Sequence, residues 1–515
     1  MNVLLTTEGT YPFSGGGVST WCDTLIRNTP EVRYTLLPLM MNPHVELKYA
    51  PPPNVRRVLE VPMWGIEEPA EFISDIPFAS LYERKQRTPA SAIEEEFLPT
   101  FRAFLDAVLA ADGLSAVGSR LSGSTGQTPP RAESGEPRAG LADSDVFGAS
   151  LVAMEDYFRE RDYGATMKSR LVWRAFAERL ETHGRELART HAAGARCIPS
   201  LFDLTECLRW LYHFLVVLNV RAPRVAVTHS TAAAFCGIPC ITAKLRHGTP
   251  MVLTEHGVYL REQNLFLSRF RRLFFAKHFL LSLITAVSRA NYRFADVVAP
   301  VCHYNTRWEA AHGTPREKIE VIYNGVDPDR FTPGARPDGP PHVVATARID
   351  RLKDTETFIR VAARVRETHP NVRFTIFGAV SDEGYYAECL KLRRELGINV
   401  TMGAATDDVV AAYRSADIVL LTSISEAFPF SVIEAMSCGR AVVASDVGGV
   451  REALDGCGIV VRPRDVEQFA AAVRRLVDDG PQRAKLAARA RAKVIEQFRV
   501  DGSVAAYLDL YRRLA

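Results

Sequence analysis

Residues Leu420–Gly449 read LLTSISEAFPFSVIEAMSCGRAVVASDVGG. An apolar run, Ile418 to Leu421, predicts a strand that leads into a polar loop carrying Glu426. A short amphipathic segment carrying Glu434 follows, and then a second buried strand, Ala441 to Ala444. Seven residues separate the two glutamates, E-x7-E. One is expected on a loop ahead of a helix and the other on the early turns of that helix. Both then lie at the carboxyl end of a parallel sheet, where ligands bind in open α/β folds. Two carboxylates so placed can grip hydroxyls, which suits a sugar-bearing ligand. Taken alone the spacing is a weak signal, because any amphipathic helix shows it by chance.

Outward from this stretch, the second half of the chain keeps a regular strand–helix rhythm. Strands are predicted at His342 to Ala347, Arg373 to Phe377, Asn399 to Met402, Asp417 to Thr422, Ala441 to Ala444 and Gly458 to Val461. Helical patterns alternate between them, which predicts a doubly wound parallel sheet. The loop after the first of these strands reads ARIDRLKD and carries Arg348 and Lys353. Cations at a sheet edge suit a diphosphate, Arg by its planar fork and Lys as a point charge. Together with E-x7-E they make a coherent sugar-nucleotide site. The cations hold the diphosphate, Glu434 accepts from ribose hydroxyls and Glu426 reaches the sugar. Backbone N–H groups in the stretch Phe428–Pro429–Phe430, at a helix N-terminus, are expected to add positive potential.

The first half opens with a strand, Val3 to Leu5, then TTEGTYPFSGGG and a helical pattern from Val18. Strand, glycine-rich loop and helix in that order seat an anion on free backbone N–H groups, with Gly16 and Gly17 at the approach and Thr10, Tyr11 and Ser14 beside it. The bland reading is a tight turn. Helical segments cover much of Glu94 to Leu218, broken by Gly113 to Asp145, whose Gly, Ser, Pro and Arg content reads as a disordered insertion. Strands resume with VAVTHS (Val225 to Ser230) and PMVLTEHG (Pro250 to Gly257), placing His229 and His256 at strand ends. A lone histidine is more often structural than functional, but His256 beside Gly257 is a candidate to donate to a sugar hydroxyl. Asn264 to Phe294 is basic and rich in Phe and Leu. It reads either as a helix packed on the sheet or, at Arg269 to Lys277, as a peripheral contact with the inner face of a membrane.

The architecture predicted is two doubly wound Rossmann-like domains facing across a cleft, with a helical and disordered insertion in the first. Residues 1–332 form the first domain and 333–500 the second, with PGARPDGPP (Pro333 to Pro341) as linker. A last helix at 501–515 is expected to cross back to the first domain.

Composition sets outer bounds. The chain has 515 residues, 47% hydrophobic and 24% charged, with a formal net charge of +3. That charge is too small to argue for nucleic acid. Nine cysteines are scattered without a CxxC pair, which favours reduced buried thiols over a disulfide framework. With no signal-peptide pattern and no spanning stretch, a cytoplasmic chain is expected.

The motifs SISEAFPFSVIEAMSCGRAVVASDVGG, ARIDRLKD and the NGVD at Asn324 to Asp327 resemble those of the large retaining glycosyltransferase family of GT-B fold, the fourth in the usual numbering. EGTYPFSGGGVSTW, TEHGVYLRE and LTSISEAFP further resemble its PelF-like branch, the nucleotide-sugar-dependent enzymes of Pel-type exopolysaccharide synthesis. The resemblance implies a metal-independent hexosyltransferase, no cofactor, UDP-glucose as donor, a growing glycan as acceptor and a membrane-bound export partner. It also implies roles: Arg348 and Lys353 on the diphosphate, Glu434 on the ribose and Glu426 on the donor sugar. Gly16 and Gly17 would approach phosphate or acceptor, and His256 the transferred sugar. An NAD-dependent oxidoreductase lacks its glycine fingerprint here, with the acid about 20 residues on. A sugar-nucleotide epimerase of the same fold and a non-catalytic sugar-nucleotide-binding subunit of a polysaccharide assembly stay open as alternatives.

Overall fold

A computed structural model describes residues 1–73, 77–111, 138–267, 274–404, 406 and 408–515. The chain divides into two units. The first comprises Met1–Pro300, Thr306–Glu320 and Leu510–Ala515; the second comprises Val301–Asn305 and Val321–Asp509.

The first unit is built on β1 (Asn2–Glu8), β2 (Arg33–Met40), β3 (Val55–Val58), β4 (Val61–Pro62), β5 (Val227–Ser230), β6 (Met251–Glu255) and β7 (Val297–Pro300). The order is β3-β2-β1-β5-β6-β7, with β4 also paired to β2, and every pairing is parallel. The order reverses between β1 and β5, which is the switch point where a crevice opens in doubly wound sheets. β1 runs further than its apolar core predicts. Thr6, Thr7 and Glu8 stay paired opposite Leu37, Pro38 and Leu39, so Glu8 is a strand-end residue rather than part of the glycine loop. Helices between Leu98 and Phe214, with Phe274–Phe294, bury Phe101, Phe104, Phe158, Phe176 and Phe279 against this sheet in one continuous core.

The second unit holds β8 (His342–Thr346), β9 (Arg373–Phe377), β10 (Thr401–Ala404), β11 (Ile418–Leu421), β12 (Ala441–Ser445) and β13 (Ile459–Val461). Their order, β10-β9-β8-β11-β12-β13, is again parallel throughout, with its switch point between β8 and β11. Side chains of a strand alternate between faces. Val343, Ala345, Ile418, Leu420, Ala441 and Val443 therefore fill one core. Val344, Val419, Leu421, Val442 and Ala444 fill the other. Apolar residues at every position of the central strands are what burial of both faces requires.

Several expectations shift. β10 starts two residues later than predicted, because Gly397 in the left-handed region (φ +61°) ends the preceding helix and the strand joins the edge with an irregular register. The proline-rich stretch Pro333–Pro341 is not a free linker: Arg440 Nη2 donates to the Gly334 carbonyl (2.5 Å) and Arg336 pairs with Asp417 (3.2 Å), all inside the second unit. The chain instead passes between units at 300/301, 305/306, 320/321 and 509/510. Of the expected insertion Gly113 to Asp145, residues up to 137 lie outside the described residues, and from Arg138 the backbone is helical. Arg269 to Leu273 also lies outside them; the helix that follows, Phe274–Phe294, is largely buried. Among the described residues, all nine cysteines are free and buried, and no helix is long and apolar enough to cross a membrane.

Candidate functional site

Arg348, Lys353 and Glu426 lie on the loops that follow β8 and β11, the two strands flanking the second unit's switch point. The two loops are laced together. The Ile424 N–H donates to the Leu352 carbonyl (2.8 Å), and Thr422 Oγ1 donates to the carbonyls of Lys353 (3.1 Å) and Asp354 (3.0 Å). Asp350 shapes the first loop by accepting the N–H groups of Leu352 and Lys353 on Oδ1 (2.9 and 3.2 Å). The outcome is a direct ion pair: Lys353 Nζ donates to Glu426 Oε1 at 2.6 Å, with the two side chains only 22% and 10% exposed. A charge-assisted bond of this kind, largely withdrawn from water, fixes both groups. Arg348 differs. It is 58% exposed and rests 3.4 Å from Asp350, a surface contact that costs little to exchange for a ligand.

Glu434 sits on the helix Phe430–Ser437, as its spacing predicts. Tyr413 donates to Glu434 Oε2 (2.7 Å) and shares a second hydrogen bond with Thr346 Oγ1 (2.6 Å), which ties the carboxylate to the end of β8. Burial pushes the Glu434 pKa up, while the Tyr413 hydroxyl and the Arg330 charge oppose it. Tyr413 is invisible to motif reading. It comes from the helix Val409–Arg414, and only the packing brings it here.

The Phe428–Pro429–Phe430 turn does something other than expected. Pro429 has no N–H and serves as the N-cap, and no side chain caps that helix, so any donation to a ligand falls to the neighbouring amides. Phe428 is buried, its ring against Tyr323 and Phe498 and its carbonyl accepting from Asn324 Nδ2 (2.9 Å). The NGVD motif is thus a clamp on this loop. Gly448 and Gly449 form its other support. The Gly449 N–H donates to the Ala427 carbonyl (2.6 Å), and a Cβ on Gly448 would stand 2.0 Å from the Glu426 carbonyl oxygen.

The remaining candidates belong to the first unit. Gly16 and Gly17 are exposed at the start of the helix Gly17–Arg27, which has no side-chain cap, and Gly16 (φ +149°) occupies backbone space that other residues avoid. Tyr11 does not line this loop. It is fully buried, with its hydroxyl donating to Asp23 (3.3 Å). His256 follows β6, its ring edge-on to Trp21 at 4.6 Å and its Nε2 enclosed without a protein partner. Burial pushes its pKa down to about 3, so it is a neutral hydrogen-bonding group at physiological pH. His229 is structural: its ring nitrogens bond the hydroxyls of Tyr511 (2.5 Å) and Thr254 (2.7 Å).

Residues 327–493 match the model of glycosyl transferases group 1, and residues 1–122 and 134–317 match a domain of unknown function, DUF3492. D-inositol 3-phosphate glycosyltransferase of Mycolicibacterium smegmatis is 35% identical over 219 residues, 39% of this chain and 49% of that protein. Its counterpart in Stackebrandtia nassauensis is 33% identical over 225 residues, 39% of this chain and 50% of that protein. The chain thus spans about half the length of the curated relatives it matches. Sucrose-phosphate synthase from Thermosynechococcus elongatus aligns over 100% of this chain and 98% of its own, with a TM-score of 0.56 at 17% identity, a likeness of fold. Two parallel Rossmann-like sheets, the match over more than half of the chain and the match over the second unit together place it: the chain belongs to the DUF3492 family, has the GT-B fold and carries a glycosyl transferases group 1 domain.

Proposed function

We propose that this protein transfers a hexose from a nucleotide-diphosphate sugar, UDP-glucose in the first instance, to a glycan acceptor with retention of configuration, as a PelF-like enzyme of exopolysaccharide synthesis. The observation that carries this reading is the Lys353–Glu426 pair at the β8/β11 switch point, with Arg348 beside it. The diphosphate displaces Glu426 as the partner of Lys353, and the released carboxylate turns to hydroxyls of the donor sugar. Glu434, oriented by Tyr413, accepts from the ribose.

In the reaction the bond between the sugar C1 and the phosphate oxygen breaks, and its electron pair leaves with the nucleoside diphosphate. The acceptor hydroxyl attacks C1 from the same face and gives its proton to the departing phosphate oxygen. Arg348 and Lys353 stabilise the charge that grows on the leaving group, the kind of preorganised electrostatic term that dominates many enzymes. His256, kept neutral, offers hydrogen bonding to a sugar hydroxyl without exchanging protons. Release of UDP from UDP-glucose by the parental protein and by Lys353→Ala tests this. Loss of one such group is expected to lower kcat about 10²–10³-fold, and an unchanged rate sinks the proposal. Donor binding without release would mark a binding subunit instead, and a changed sugar still joined to UDP an epimerase.

A further inference from the structure

A cavity of about 1050 Å³ lies within the first unit. Its floor is the other switch point: Glu8 ends β1, and Ala232 and Ala234 follow β5. Several polar groups share one corner. Tyr259 donates to Glu8 Oε1 (3.0 Å), the Cys236 N–H donates to Oε2 (3.0 Å), and Glu262 lies beside them against Gly257. Burial raises the Glu8 pKa to about 6, so near neutral pH it is largely a fixed carboxylate acceptor. Gln263 and Lys277 also line the cavity, and the rest of its wall is apolar, led by Trp64, Trp210, Phe214 and Leu280, with Met41 and Phe266 on the more exposed side.

The large apolar share of this lining, Trp64, Trp210, Phe214, Leu267 and Leu280, suits hydrocarbon better than a free oligosaccharide. A sugar carries a hydroxyl on almost every carbon, and those turned toward Trp210, Phe214 or Leu280 would lose water without gaining a partner. A hydrocarbon chain suits the same walls, since each buried methylene strengthens binding about fourfold. We propose that this cavity holds the hydrocarbon part of an amphiphilic acceptor, whose hydroxylated head meets the Glu8–Tyr259 corner. The proposal rests on the transferase reading above and narrows its acceptor to a lipid-like glycoside or alcohol with either a straight or a branched isoprenoid chain.

The test uses the full chain and its tryptophan fluorescence, because Trp64 and Trp210 line the cavity. It is titrated with octyl, citronellyl and methyl β-D-glucosides below micellar concentration. The octyl or the citronellyl compound is expected to bind at least about 100-fold more tightly than the methyl one, given several additional buried carbons. The tighter of the two identifies a straight or a branched chain. Met41 and Phe266 are 55% and 53% exposed, so M41D/F266D spares the core. This double variant is expected to melt as the parent does and to lose alkyl-glucoside binding about tenfold or more. Equal affinity for methyl and longer glucosides, or alkyl binding untouched by M41D/F266D, overturns the proposal. Release of UDP from UDP-glucose, assayed on the same preparation, separates the two readings. Release without alkyl binding refutes the cavity proposal alone, whereas alkyl binding without release refutes the transferase reading.

Discussion

Gly448→Ala asks most directly whether the loop carrying Glu426 is held where the reaction needs it. Gly448 has φ +55°, so any L side chain there carries the left-handed penalty, about 1–2 kcal/mol. The added Cβ would also stand 2.0 Å from the Glu426 carbonyl oxygen and 2.7 Å from that of Ala427. Restoring the 3.4 Å at which ordinary contact begins moves the Glu426 backbone by about 1.4 Å. A shift of that size also strains the Gly449–Ala427 hydrogen bond and pulls Glu426 away from Lys353. Misplacement by about 1 Å can cost about 10² in rate, so UDP release is expected to fall about a hundredfold. The melting temperature should drop as well, by about 2–4 °C for each kcal/mol lost in a domain of this size. Gly456→Ala is the control. It has φ +72° but nothing within 4 Å of the place its new methyl group would take, so it should lose stability alone and keep the parental rate. If Gly448→Ala releases UDP as fast as Gly456→Ala does, the glycine pair does not position the site and the reasoning is wrong.

Other outcomes follow from single contacts. Tyr413→Phe removes the hydroxyl that joins Glu434 to Thr346 and leaves a buried carboxylate short of a donor; a cost of about 1.5–3 kcal/mol is expected in nucleotide-sugar affinity or stability, read by calorimetric titration and denaturant melts. In the first unit Glu255 and Glu309 are fully buried beside each other, with Tyr292 donating to Glu255 (2.5 Å). Burial raises both pKa values, and the Glu255 charge raises that of Glu309 further. The folded pair therefore keeps a proton that the unfolded chain releases near its ordinary value of 4.5. Its contribution to stability is complete below that pH and is lost as pH rises through the raised values. Urea denaturation at about pH 5.5 and about pH 8.5 should show a smaller decline for Glu309→Gln than for the parent; equal slopes would argue against a shared proton. Because His256 is neutral down to about pH 3, the rate profile between about pH 5 and 8 should show no inflection that disappears in His256→Asn.

Much of the second unit was legible from its residues alone. β11 falls where its apolar run places it, since a strand buried on both faces must be apolar at every position, and β9 (RFTIF) also falls where predicted, with Phe374 and Ile376 turned to the buried face. Glu434 falls on the predicted helix for the same reason of periodicity. The first unit was harder, because its sheet continues into polar residues. Thr6, Thr7 and Glu8 read as loop, yet parallel pairing with Leu37–Leu39 keeps them in the strand.

The sequence by itself determined the βα alternation, the two sheets and the residue types gathered at the second sheet's carboxyl edge, because these follow from local periodicity and short-range spacing. Tertiary structure alone decided which charges meet. Lys353 finds Glu426 across 73 residues, Tyr413 reaches Glu434 from a separate helix, and Glu8 joins Tyr259 across 251. Such pairings depend on strand order and on which loops a parallel sheet brings to its switch point, and no local pattern in the chain encodes them.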